Sequence, residues 1–221
     1  MTGAVALLRR ELSLSFGGGG GPLLAVAFYA CLTTLLPLAA GRNPQMLGLL
    51  GPSVAWLAIA LASLLSLDRM FERDFEDGAL DLLALGPIPL ELTCAIKALA
   101  QFLTVNAPLA VAAPVAAIAL GAPPSLAPMV FFCALVGGLA FAFVGGLGAA
   151  LALGSRRGGL LVAVVVLPLL SPPVIFGAAA LDAARDGTSI VTAVTLLCAY
   201  AAAALSLSPV AMAAAVRNAL D

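Results

Sequence analysis

Long runs without a single charged side chain constrain this chain most. Residues 12–41, 43–67, 98–155, 158–181 and 187–216 contain no Asp, Glu, Lys or Arg. A bilayer-spanning helix needs about 20 consecutive apolar residues. Every run is that long, and the 98–155 run is long enough for two, divided at Pro123-Pro124 in LGAPPSLAP. Six spans are predicted, at about 22–40, 47–67, 98–120, 126–153, 158–181 and 189–211. Only 10% of the residues are charged, whereas a soluble domain carries roughly 25%. So little charge cannot cover a water-exposed surface. The expected fold is an all-α integral membrane protein, with residues 1–221 forming a single transmembrane domain.

An even number of spans puts both termini on one side, and basic residues choose that side. With the termini in the cytoplasm, Arg9, Arg10, Arg69, Arg73, Lys97, Arg156, Arg157 and Arg217 are cytoplasmic and only Arg42 and Arg185 are outside. The first span is not preceded by a signal-peptide cleavage pattern and reads as retained. A net charge of −1 offers no basic field for nucleic acid.

Absences narrow the chemistry. The one lysine, Lys97, follows LELTCAI, so no glycine-rich phosphate loop with its lysine is present and ATP is not hydrolysed here by that route. The chain has no histidine, which excludes a histidine zinc site, a histidine axial haem ligand and a Ser-His triad. Cys31, Cys94, Cys133 and Cys198 are scattered without metal or redox spacing and read as small packing residues. The middles of the predicted spans carry no Asp, Glu, Lys or Arg, unlike most ion-coupled carriers. Gln101, Thr104 and Asn106 are polar exceptions in the third span, suited to interhelical hydrogen bonds.

Between the runs the sequence has local order. Residues 4–16 place Val5, Leu8, Leu12 and Phe16 on one helical face, with Arg10, Glu11 and Ser13 away from it and Arg9 at its border; a short helix along the membrane interface is expected. Gly17–Pro22 reads as a flexible elbow. Eight of the 21 charged residues crowd into one loop: Asp68, Arg69, Glu72, Arg73, Asp74, Glu76, Asp77 and Asp81. Asp68 to Arg73 are expected to prolong the second span. Gly78 interrupts, Asp77 is placed to cap a two-turn helix over ALDLLAL, and Gly-Pro-Ile-Pro at 86–89 stops it. In the fifth span Pro168, Pro172 and Pro173 predict a break after about Leu170 and a short re-entrant helix. The fourth span, with Gly137, Gly138, Gly145, Gly146, Gly148 and Gly154, is expected to pack closely in a bundle or dimer seam.

Six spans, no ATP site, no ion relay and a charge-dense cytoplasmic loop suit a transporter's membrane subunit that borrows energy from a separate ATPase. In such a subunit the loop helix docks in a groove on the ATPase, where mixed charge fixes register. The chain resembles, nearly end to end, the B-subunit family of haem-exporter ABC transporters in system I cytochrome c maturation. The resemblance rests on RREL at 9–12, LDRMFERDFEDGALDLLALGPIPL at 67–90, RRGGLLVAVVVLPLLSPPVIFGAAALDAA at 156–184 and LSPVAMAAAVR at 207–217. One departure is visible. Where that family commonly continues after Glu-Leu with a basic residue and Asn-Pro, this chain reads SLSFGGGGGP.

The resemblance implies an ABC-2-like exporter fold in a bacterial inner membrane, and an ATPase-coupling element at Arg69, Glu72, Arg73, Asp74, Glu76, Asp77, Gly78, Leu80 and Asp81. Arg156 and Arg157 sit in a second cytoplasmic loop. It implies as partners a cytoplasmic ABC ATPase that holds ATP and Mg, a haem-handling membrane subunit, a small accessory membrane subunit and a haem chaperone, with two copies of this chain. The complex handles haem, and this chain binds no cofactor of its own. A permease for a drug, lipid or polysaccharide, and a membrane scaffold without coupled motion, are the alternative readings.

Overall fold

Apolar runs in lipid must satisfy their backbone internally, so they become helices. The computed structural model describes residues 2–17, 21–41, 44–67, 69–154 and 158–220. Its helices are α1 (Thr2–Gly17), α2 (Gly21–Ala40), α3 (Pro44–Leu64), α4 (Arg69–Glu76), α5 (Ala79–Ala84), α6 (Leu90–Gln101), α7 (Ala107–Ala119), α8 (Ala127–Leu151), α9 (Gly158–Arg185) and α10 (Val191–Leu220). A π-helical segment, Phe102–Asn106, joins α6 to α7, and a 3-10 turn, Pro124–Leu126, precedes α8. Six of the resulting rods are long and apolar enough to cross a membrane: α2, α3, the α6–π–α7 rod, α8, α9 and α10. The protein is a multi-pass membrane protein.

The third crossing begins at Leu90 and not near residue 98, so Lys97 lies within it. The sixth runs on to Leu220. Gly121 ends the third with φ +93°, and the amide of Ala122 bonds back to the carbonyl of Ala117 at 2.9 Å. This Schellman closure requires a left-handed residue that glycine supplies without strain.

Helix α8 is the centre. It packs against α3, α6, α7, α9 and α10, within a bundle as expected, and large side chains of α3 and of the turn after it fit against its Gly137 and Gly145. A Cβ added at Gly137 would lie 2.2 Å from Trp56 Cη2, and one at Gly145 2.3 Å from Leu67 Cδ1. Trp56 is also pressed against Gly177 of α9, where an added Cβ would meet Cε2 at 2.3 Å. Its indole Nε1 donates to the Val174 carbonyl at 2.9 Å, and Phe141 lies 5.6 Å away ring to ring. Lipid offers no hydrophobic drive between helices, so such close approach supplies the cohesion. Cys94 and Cys133 are buried packing residues, Cys198 is half-buried and Cys31 is exposed; all four are free.

The prolines do not break the fifth crossing, and no re-entrant helix forms there: α9 is continuous from Gly158 to Arg185, with Pro168, Pro172 and Pro173 inside it. The reason is partly local and partly tertiary. Pro172 and Pro173 leave the carbonyls four residues earlier, Pro168 and Leu169, without their amide partners. The Ser171 hydroxyl donates to Pro168 O at 2.7 Å, and the Tyr200 hydroxyl of α10 donates to Leu169 O. The acceptors vacated by Pro172 and Pro173 are thereby occupied, and the helix persists through that pair.

Candidate functional site

The charged loop folds at one end of the bundle. The second span is not prolonged through Arg73. Helix α3 ends at Leu64, and the turn after it tightens through Ser66 N to Ser63 O and Leu67 N to Leu64 O, at 3.3 and 3.2 Å. Ser66 Oγ donates to the Ser63 carbonyl as well. Leu67 is fully buried against Gly145, which turns the chain before α4 starts. Asp68 lies outside the described residues, as do Arg42, Arg156, Arg157 and residues 18–20 of the glycine elbow; Arg69 opens α4, with its side chain likewise outside the description.

Asp77 does not cap α5. The residue in that position is Gly78, with φ +69° and no side-chain cap. Asp77 belongs to the closing turn of α4, its amide bonding to Arg73 O at 3.0 Å and that of Gly78 to Phe75 O at 3.2 Å. The left-handed turn at Gly78 points α5 in a new direction. Helix α5 ends before Gly86-Pro87-Ile88-Pro89, as read from the sequence, and Pro89 leads into α6.

The two short helices have two unlike faces. Phe71, Asp74 and Leu80 are buried against the bundle. Glu72, Arg73, Glu76, Asp77 and Asp81 are exposed, and with them Leu82 at 74% and Leu85 at 86%. Of the residues that the resemblance assigns to a coupling element, Asp74 and Leu80 therefore anchor α4 and α5 to the bundle, and the exposed charges face outward. From the sequence, the leucines of ALDLLAL, Leu80, Leu82, Leu83 and Leu85, are expected to face lipid, protein or both; Leu80 alone is fully buried, and Leu82 and Leu85 stand exposed.

Behind the anchored face lies an ion network from three helices. Arg10 Nη2 of α1 donates to Asp74 Oδ1 at 2.6 Å, and its Nη1 donates to Glu11 Oε1 at 2.6 Å. Lys97 Nζ of α6 donates to Glu11 Oε2 at 3.0 Å, to the Met70 carbonyl at 3.3 Å and to Asp74 Oδ2. The Lys97 side chain is 1% exposed and that of Asp74 5%. Lys97 Nζ also lies 5.7 Å from the centroid of the Phe71 ring. Burial, the largest single influence on the Asp74 carboxyl, pushes its pKa up. The Arg10 hydrogen bond and the nearby Lys97 charge together outweigh it and hold the carboxyl below its ordinary value. The hydrogen bond to Asp74 correspondingly raises Arg10.

One turn further along α6, Gln101 Nε2 donates to Ser66 Oγ in the turn after α3, a bond from helix to turn where one between helices was expected. Thr104 bonds instead to the Ala100 carbonyl within its own helix, at 2.8 Å. Asn106 is fully buried and neither of its amide atoms has a partner. A cleft of about 510 Å³ opens beside this array, lined in part by Glu11, Glu72, Arg73, Asp74, Lys97 and Gln101. Elsewhere at this end Arg217 pairs with Glu91 at 2.6 Å. Among the described residues no group of three His, Cys, Asp or Glu side chains is placed to hold a metal.

Sequence reasoning missed Arg10, Glu11 and Lys97 as parts of a site. It placed Arg10 and Glu11 opposite the apolar stripe of α1 without seeing that this side faces the bundle, while Val5 and Phe16 are exposed at 66% and 73%. A usable signal existed in Lys97. A lone cation inside an apolar helical run calls for a buried partner.

The CcmB protein family model matches residues 2–219. The chain is similar to "Heme exporter protein B" of Bradyrhizobium diazoefficiens, 44% identical over 222 residues and covering 100% of both chains. The protein of that name from Paracoccus denitrificans is 45% identical over 212 residues, covering 96% of this chain and 97% of its own. That from Escherichia coli K12 is 36% identical over 211 residues, covering 96% of each.

Proposed function

We propose, from the premise that this chain belongs to the CcmB protein family, that it is the permease subunit of a haem-exporting ABC transporter in a bacterial inner membrane. Both termini and the α4–α5 element lie in the cytoplasm. A separate ATPase subunit binds ATP and Mg, and its movement reaches the membrane through α4–α5. The transported change serves cytochrome c maturation, releasing a haem-loaded chaperone at the outer face with the help of a haem-handling membrane subunit and a small accessory one. With no histidine of its own, this chain leaves imidazole ligation of haem to its partners and acts as the moving part.

The division of α4–α5 into a buried and a free face carries this reading. A merely solvated charge run needs neither Asp74 buried in an ion network nor two exposed leucines at its tip. Asp81, Leu82 and Leu85 offer what a groove on a soluble partner takes: apolar anchors with charge beside them to set orientation.

The test is affinity purification of the tagged chain from intact membranes. An ATPase and a histidine-bearing haem protein should accompany it, and ATP should drive release of the haem chaperone. A complex with an ATPase but a drug, lipid or polysaccharide in place of haem would make it a permease for another substrate. A haem complex without an ATPase would make it a scaffold.

A further inference from the structure

We infer that Lys97, through Asp74, is the positioning residue that joins the α4–α5 element to the third crossing, and that the π segment directly beyond it is where that crossing yields. This rests on the coupling reading above and names the path by which movement of α4–α5 enters the bundle.

Lys97 is built as a joint. An ammonium has three N–H donors, and here they are matched by three acceptors, Glu11 Oε2 on α1 and Asp74 Oδ2 and the Met70 carbonyl on α4. One cation therefore grips α4 by both side chain and backbone. Arg10 and Lys97 balance Glu11 and Asp74, so the network is neutral and complete, and it leaves Lys97 no donor for a ligand in the adjoining cleft. An apolar contact in this place could slide. A desolvated ion pair is directional, and fixing register is the best-attested use of such pairs.

The next turn repeats the connection. Gln101 stands four residues after Lys97, on the same helical face, and bonds Ser66 in the turn that leads into α4. Ser66 and α4 are thus both fastened to one strip of α6. Immediately beyond that strip the helix changes to the π form over Phe102–Asn106. Such wide turns are rare, and they recur at functional sites. At its end Asn106 is fully buried with both amide atoms unpartnered, so the segment keeps hydrogen-bonding capacity that a different helical register can use. A push on α4 moves α6 with it, and the π segment takes up the rotation before α7.

The test uses the complex purified from membranes through the tagged chain. Replacing Asp74→Leu and Lys97→Met together removes one charge of each sign and leaves Arg10 beside Glu11, so folding and ATPase assembly should persist. ATP-dependent release of the haem chaperone should fall about tenfold or more, within the span of ordinary coupling energies, while ATP hydrolysis continues. Lys97→Arg, which can still bridge Glu11 and Asp74, should retain most of the release. If the double variant assembles and releases chaperone at the unaltered rate, the joint is only structural and the inference fails. If the double variant does not assemble, Gln101→Ala decides. It removes one hydrogen bond, and should keep the ATPase bound but slow release several-fold; unchanged release overturns the inference. Should no ATPase accompany the unaltered chain, the coupling reading falls, and this joint with it. A bound ATPase together with release insensitive to these variants overturns the joint alone.

Discussion

The charged end and the Trp56 region hold helices together by opposite means. Around Lys97, three helices meet through four charges with only two basic and two acidic groups to balance. Around Trp56, α3, α8 and α9 meet because Gly137 and Gly177 let an indole lie against bare backbone. The first contact fixes direction and register, whereas the second fixes distance. The transmission of motion proposed above needs both, a bundle that stays closed and a joint that turns without slipping.

The contrast gives a ranking of effects. Lys97→Met alone leaves Asp74 and Glu11 facing a single Arg10, and breaking a buried pair from one side costs about 3–5 kcal/mol. The thermal midpoint of the detergent-solubilised protein, followed by size-exclusion chromatography, should fall most for this variant. If it falls less than for the glycine variants, water screens the network and the two regions differ less than stated. Gly177→Ala and Gly137→Ala come next, since a methyl group in the indole's place is overpacking that costs about 1–3 kcal/mol. Adding Trp56→Leu should restore part of the loss, a recovery that Lys97 variants should not share.

Ser171→Ala sharpens the comparison within the apolar region. It strips the hydroxyl donor from the Pro168 carbonyl and should lower the midpoint by the equivalent of about 0.5–1.5 kcal/mol, the usual net worth of one hydrogen bond. The smallest effect within the working pH range concerns Asp74. Its folded value is depressed, so its stabilisation is complete above the ordinary carboxylate value and is lost as pH falls through the lower folded one. The midpoint should be flat from neutrality down to the ordinary carboxylate range and decline only below it. Asp74→Asn should remove that part of the decline.

What the sequence disclosed follows the same division. Charge-free runs placed six crossings, because lipid permits few alternatives to an apolar helix. The glycine run of α8 announced close packing, because absence of a side chain is itself a steric statement. The proline cluster of α9 misled, since the donors that heal it are Ser171 one residue before Pro172 and Tyr200 in the next helix, and the second is a tertiary fact. Lys97 was legible as a solitary cation but not as a joint. Its partners come from positions 11 and 74, and nothing local in LELTCAIKALA specifies which carboxylates will arrive. Asp77 was assigned as a cap from its type, but Gly78's left-handed turn took that place.

The central claim is that α4–α5 presents a free face to a soluble ATPase while its other face is locked to the bundle. A photocrosslinking side chain placed at Leu82 or Leu85, both exposed, tests this most directly in intact membranes. The same probe at Leu38, 77% exposed at the opposite end of the bundle, is the control. The expected result is a covalent adduct with an ATPase from Leu82 and Leu85 and none from Leu38. Adducts with an ATPase from neither leucine, or equally from Leu38, would contradict it.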